Sequence, residues 1–309
     1  MVNFVMFRLI RMCVTIFALV SIVFFATRFT GDAIDYLMPE GLDPAGRSAM
    51  MAYWGLDRPL LDQYILFWRS IFDGHFGLSL LERRPVEIIF GERVTRSLLL
   101  LVGTLLVTIM IGVPAGIAAA VWRKSALGSV ILAVAFIGYS IPNFILAIML
   151  ILIFSFTLHW LPSSGATSLA HFIMPTMALA SYFAAALARY TRNAMLDVLS
   201  QDYIRTARAK GLSESSVILK HGLRNALIPV VTVIGLQITT LVSGAVVVET
   251  VFAWNGIGDL LVGATLRRDY PVLQFGVLVV ASAVVIVNIL IDCTYAALDP
   301  RVRLSGGAA

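Results

Sequence analysis

The chain has 309 residues, of which 59% are hydrophobic and only 13% charged, with a net charge of +5 and a mean hydropathy of +0.91. That balance lies far outside the range of soluble globular domains and excludes a single aqueous core, so lipid must solvate much of the surface. The basic pI of about 9.4 follows from cationic residues beside apolar runs, a membrane pattern, and a nucleic-acid partner is not expected.

Crossing a hydrocarbon core of roughly 30 Å takes about 20 helical residues. Six stretches meet that length, near 9–29, 97–121, 129–157, 172–190, 228–251 and 272–297. The first follows Arg8 and Arg11, has no small-x-small cleavage site before Arg28, and reads as an uncleaved signal anchor. Cys13 and Cys293 both fall in predicted spans, which excludes an extramembrane disulfide framework, and no metal-ligand spacing is present.

The outer segment 30–96 carries Leu60, Leu61, Tyr64, Ile65, Phe67, Trp68, Ile71 and Phe72 at helical spacing. Asp57 is a candidate cap, Pro59 suits a first turn and Gly74 a stop. A second amphipathic stretch runs from Pro85 through Ile88, Ile89 and Val94 into the second span. These helices either lie on the outer bilayer face and cover the bundle, or dock an external partner. Within the spans, Gly112, Pro114, Gly116, Gly138, Pro142, Gly235 and Gly244 permit close helix approach and kinks.

Basic residues set the orientation, because Lys and Arg resist translocation. Arg8, Arg11, Arg123, Lys124, Arg192, Arg205, Arg208, Lys210, Lys220, Arg224, Arg301 and Arg303 fall on one side. The short loops opposite hold only Arg267 and Arg268, so both termini are expected inside.

One inner segment, Asp202 to Pro229, is a polar island predicted as two short helices joined at Gly211. Lys210 ends the first helix, Gly211 takes a left-handed cap and Leu212 supplies the apolar contact. Ser213 is placed to cap the second, with Glu214 in its first turn. The island is either an ordinary basic loop or a rigid docking corner.

The island resembles the EAA loop of ABC-importer permeases, in the version Tyr203-x-Arg205-Thr206-Ala207-Arg208-Ala209-Lys210-Gly211 of the peptide/nickel group, followed by Leu223 to Pro229. The resemblance covers nearly the whole chain. It extends to Gly55-Leu56-Asp57-Arg58-Pro59-Leu60, Phe76-Gly77-Leu78-Ser79, Arg84-Pro85-Val86 and Trp160-Leu161-Pro162. It continues through Glu249-Thr250-Val251-Phe252, Gly256-Ile257-Gly258, Arg268-Asp269-Tyr270-Pro271-Val272 and Asp299-Pro300-Arg301. The general Glu-Ala-Ala opening is replaced by Arg205-Thr206-Ala207, as is usual in this group. A terminal first span before a long outer segment looks like the B-type subunit. Val121-Trp122-Arg123 and Lys220 to Asn225 look similar to glutathione-import permeases.

The resemblance implies an all-α, polytopic type I ABC-importer permease (MetI-like) fold in the bacterial inner membrane. Its implied organisation is a first helix 1–29, a periplasmic segment 30–96, a five-helix core 97–297 with the coupling loop near 191–227, and a tail 298–309. It implies a C-type second permease, two ATPase subunits carrying ATP and Mg, and a periplasmic binding protein. The implied cargo is a di- or oligopeptide, with glutathione, nickel complexes, opines and oligosaccharides as alternatives. Gly211 would be the coupling corner, with Ala207 in an ATPase groove and Tyr203, Arg205, Arg208 and Lys210 around it.

The chain shows no phosphate-binding G-x-x-x-x-G-K-[ST] loop, and His75, His159, His171 and His221 are scattered. No catalytic constellation can be argued from spacing, and no cofactor is expected in this chain. A stand-alone secondary transporter or channel would need ion-coupling charge in mid-span, where there is almost none. Gln237, Thr240 and Ser243 form one helical stripe, which either lines the pathway or bonds helices together. Arg189 and Asp292 sit near inner ends, where snorkelling or ion pairing is expected. Glu249, near an outer end, is a candidate gate or binding-protein contact.

Overall fold

The computed structural model describes residues 2–29, 44–53 and 55–298. The expected Asp299-Pro300-Arg301 ending, Arg301 and Arg303, and the side chains of Arg8, Asp292 and Cys293 lie outside the described residues. Among the described residues the regular secondary structure is all helical, apart from one isolated bridge between Leu78 and Pro85. In order come α1 (Val2–Phe29), α2 (Pro44–Tyr53), α3 (Leu60–Phe72), α4 (Val86–Val121), α5 (Ala126–Ser140) and α6 (Asn143–Leu150). A π-helical segment, Ile151–Thr157, extends α6. Then follow α7 (Leu169–Leu199), α8 (Asp202–Ala209), α9 (Glu214–Ser216), α10 (Arg224–Val251), α11 (Ile257–Leu266) and α12 (Tyr270–Leu298).

Five described helical stretches are long and apolar enough to cross a membrane: Ile10–Phe29, Val86–Val121, Leu169–Leu199, Glu214–Val251 and Tyr270–Ile291. The third predicted span, 129–157, is not one rod. Its halves, α5 and α6 with the π-helical extension, meet at 100°. The break sits at Ile141-Pro142, where Ile141 takes an extended conformation (φ −85°, ψ 121°) and Pro142 starts the next helix. Proline crowds the residue before it out of the helical region and offers no N–H to continue the ladder. Counted as one span, the bent pair makes six.

Compact units do not follow the linear division read from the sequence. One comprises Met1–Thr95 with Asp259–Val285, the other Arg96–Gly258 with Ile286–Ala309. In the first, the amphipathic face of α3 lies along α1. Trp68 stacks on Phe17 at 4.8 Å, Tyr64 and Phe67 flank the buried Phe24, and the Tyr64 and Ser21 hydroxyls are 2.7 Å apart. Gly74, at φ +76°, ends α3 as expected. Asp57 does not cap it. Pro59 occupies the cap position without a side-chain bond, and the Gln63 amide instead donates to the carbonyls of Leu56 and Arg58.

Two distant sequence motifs meet in this unit. The buried Asp269 carboxylate accepts from the Ser79 hydroxyl at 2.5 Å and from the Leu80 backbone N–H at 3.0 Å. The Ser79 and Val86 N–H groups donate to Arg84 and Gly77, which closes the loop ahead of α4. Arg84 pairs with Glu92 one and a half turns into that helix. The Phe-Gly-Leu-Ser, Arg-Pro-Val and Arg-Asp-Tyr-Pro-Val signatures are therefore one hydrogen-bonded assembly.

The second unit is organised on α7. Of its span, 56% is buried, against 22% for the span containing α10. Ala178, Ala180, Ala184, Ala185, Ala186 and Ala188 give it a small-residue surface that neighbours approach closely. Gly112 and Gly116, four apart on α4, meet it face to face. A Cβ on Gly112 would stand 2.9 Å from the Ala184 carbonyl, and one on Gly116 would be 2.6 Å from that of Ala188. Leu100, Met174, Phe183, Leu241, Val248 and Trp254 belong to the apolar core of this unit.

Candidate functional site

The polar island folds around a single corner. Helix α8 carries Ile204 and Ala207 three residues apart on one face, and these bury against Val217 and Leu199. Its C-terminus closes in a Schellman motif: the Gly211 N–H donates to Arg208 at 2.9 Å and that of Leu212 to Ala207 at 3.4 Å. Gly211 takes φ +78°, a left-handed conformation open to glycine without steric cost, and nothing lies within 4 Å of where its Cβ would be. The corner therefore projects into free space.

Three expectations about this island need correction. The second helix is not a separate short element, because Glu214–Ser216 runs through a π-helical segment, Val217–Leu223, into α10 without a break. A corner tied directly to a spanning helix moves with it. Ser213 stands at the cap position but makes no side-chain cap bond. Ala207, expected in a partner's groove, is only 6% exposed because its side chain is already packed within the chain. The free surface is instead made by Tyr203, Arg205, Lys210, Gly211 and Leu212.

Arg208, expected on the docking rim, is exposed there and also straps the corner. Its guanidinium reaches across the corner to Glu214, with contacts of 2.7 and 3.1 Å. The pair lowers the Glu214 carboxyl below its ordinary value, chiefly through the Arg208 hydrogen bond. A lowered folded-state pKa means the strap is in place above the unfolded carboxylate value of about 4.3 and is lost as pH falls through the folded value. At neutral pH it is closed. Arg208→Gln is expected to raise amide exchange across Ala207–Ser213 by roughly 2- to 5-fold, the size an exposed ion pair supports. Exchange that stays at the wild-type rate shows that the Schellman motif alone sets the corner.

Glu249 lies elsewhere than expected of an outer contact. It is 1% exposed, closed inside the second unit. Its Oε1 accepts from the Ser97 hydroxyl at 2.6 Å and its Oε2 from the Gly258 N–H at 2.8 Å. Ser97 in turn accepts from the Ile257 N–H at 2.8 Å. A Cβ on Gly256 would collide with the Glu249 carboxylate and the Ser97 hydroxyl, and one on Gly258 would stand 2.6 Å from the Val246 Cα. The Gly-x-Gly signature thus clears room for a buried carboxylate that ties the end of α10 to the start of α11. A binding protein cannot touch it, so Glu249 is a structural latch.

The stripe on α10 divides by position. Gln237 donates to the Phe183 carbonyl on α7 at 3.3 Å, while Thr240 and Ser243 are exposed. Its neighbour Thr239 faces another way and donates to Asn288 on α12 at 2.9 Å. Gln237 and Thr240 share a cavity of about 190 Å³ with Tyr139, Tyr182, Arg189 and Leu236, whereas Ser243 is not among its lining residues. Arg189, expected to snorkel or ion-pair, instead lies 4.0 Å over the Tyr139 ring, which itself stacks on Tyr182 at 4.8 Å. Tyr139 and Tyr182 carried no periodic or motif signal; Arg189 on α7 and the Gln237–Thr240 stripe pointed here.

Residues 112–304 match a family model described as binding-protein-dependent transport system inner membrane component. The glutathione transport system permease protein GsiC of Escherichia coli (strain K12) is 41% identical over 304 residues, covering 98% of this chain and 99% of that protein. The protein of the same name from Shigella dysenteriae serotype 1 (strain Sd197) matches at the same identity and coverage. Among solved structures, the inward-facing MetNI methionine ABC transporter in its CY5 native crystal form superposes with a TM-score of 0.59. At 21% identity it covers 69% of this chain and 97% of that one, and it carries the fold alone. By fold and by near full-length likeness, the chain belongs to the family of binding-protein-dependent transport system inner membrane components, the permease subunits of ABC importers.

Proposed function

We propose that this chain is one of two different permeases in an ATP-driven importer of short peptides, glutathione among them. It works with a C-type partner permease, two ATPase subunits and a periplasmic binding protein. The observation that carries the cargo class is the 41% identity, over 98% of the chain, to glutathione transport permeases. The distribution of basic residues supports cytoplasmic termini, with the Gly211 corner on the same side.

In this reading, ATP and Mg belong to the ATPase subunits, and the present chain carries no catalytic step. Its part is mechanical. The ATPase pair closes on nucleotide, and the exposed corner of Tyr203, Arg205, Lys210, Gly211 and Leu212 takes the displacement. Because the turn after Gly211 continues into α10, that displacement passes along one helix into the bundle. Exposed basic side chains around a small residue suit this contact: glycine admits close approach and the cations set register.

The test is ATP hydrolysis by the complete reconstituted importer with peptide-loaded and empty binding protein. Stimulation by glutathione or a dipeptide is the expected result. A complex that hydrolyses ATP with nickel complexes, opines or oligosaccharides but ignores peptides would overturn the cargo. Failure of any ATPase subunit to co-purify would overturn the coupling.

A further inference from the structure

An arginine within a membrane helix is costly unless something pairs with it. Arg189 stands on α7 against the middle of α10, and among the described residues no carboxylate is within ion-pairing distance of it. Its Nε is buried without a hydrogen-bond partner. Tyr139 covers one face of the guanidinium at 4.0 Å, which holds the group in place while leaving its charge unneutralised. In the lining of the same cavity, Gln237 gives its amide N–H to the Phe183 carbonyl and leaves Oε1 buried with no donor. The cavity lining therefore holds one unused N–H on a cation and one unused acceptor. Packing between helices does not need either.

We propose that this cavity is a transit site for the carboxylate end of an anionic cargo. Arg189 takes the carboxylate, and Gln237 takes an adjoining N–H. A free carboxylate next to an amide N–H is the chemistry of a peptide C-terminus, so the assignment to peptides rests on the importer reading above; the anion preference rests on the cavity. The volume of about 190 Å³ fits the end of a small molecule and not a long peptide, which makes the site a foothold along a route. Tyr139 sits near the end of α5, which packs along α7, and that packing places its ring under Arg189.

The test uses the complete importer in proteoliposomes, with Cys13→Ser and Cys293→Ser to clear the background and Leu236→Cys on the cavity wall as reporter. Leu236 is 62% exposed. Modification by a sulfonate-bearing methanethiosulfonate is compared with that by a trimethylammonium one, each normalised to its rate with a free thiol. The anionic reagent is expected to react about tenfold faster, the lower end of what a charged cleft imposes on encounter. N-acetylalanine is expected to slow it and N-acetylalanine amide to leave it unchanged. Arg189→Gln should erase the preference, and Arg189→Lys should restore it. No reaction with either reagent, equal rates for both, or a preference that survives Arg189→Gln would each overturn the site. Protection by N-acetylalanine but not by glutathione supports the carboxylate site and removes glutathione as cargo. Glutathione-stimulated hydrolysis with no protection by any carboxylate overturns the site and leaves the importer reading intact.

Discussion

Glu249→Ala is expected to destabilise the permease by about 2–6 kcal/mol, because two donors lose their acceptor inside the protein and each orphaned group costs roughly 1–3 kcal/mol. Those donors are the Ser97 hydroxyl and the Gly258 N–H. No water can replace the carboxylate without also filling the space left by a side chain that is 1% exposed. In detergent the unfolding midpoint of the purified complex should fall by on the order of 10 °C. Glu249→Gln should lie between the two, since its carbonyl oxygen still accepts from one donor while its NH₂ faces the other. Thermal unfolding of the three proteins, with their accumulation in the membrane, measures this directly. If Glu249→Ala melts with the wild type but no longer responds to the binding protein, the residue is a contact after all and the latch is wrong.

Gly211→Glu is expected to leave the protein inserted and folded but to reduce uptake per ATP hydrolysed by roughly 5- to 150-fold, the range of coupling energies between linked sites. A left-handed non-glycine residue costs about 1–2 kcal/mol locally, which a large bundle tolerates. Nothing lies within 4 Å of the Cβ position, so the substitution causes no clash within the chain. Any functional loss then arises where another subunit approaches the corner. Gly211→Asn separates backbone from surface, because asparagine accepts the left-handed conformation while still adding a side chain. Full uptake with asparagine and loss with glutamate would place the effect in bulk and charge at the contact. Normal uptake by the glutamate variant would remove Gly211 from the coupling path. Uptake and ATP hydrolysis measured together in proteoliposomes decide among these.

Both predictions turn on where side chains end up in space, and the sequence was legible to different depths on this point. Apolar runs of membrane length follow from composition alone, and every predicted span corresponds to a helix or to the bent pair. Gly74 and Gly211 were readable as helix ends because a left-handed residue after a last turn is a local matter. The amphipathic face of 60–72 was readable from period, but its partner α1 was not.

By itself, the sequence determined the class of protein, the spans, the corner at Gly211 and the family, since each rests on local periodicity or on residues adjacent in the chain. Tertiary structure alone decided the rest. Glu249 became a latch because Ser97, 152 residues away, folds beside it. Asp269 closes on Ser79 across 190 residues, and Ala207 turns inward under Val217. Arg189 found Tyr139 only because α5 packs along α7. A charged or polar residue in an apolar helix announces that it needs a partner, but burial and long-range packing choose which one, and neither is written in the spacing of neighbours.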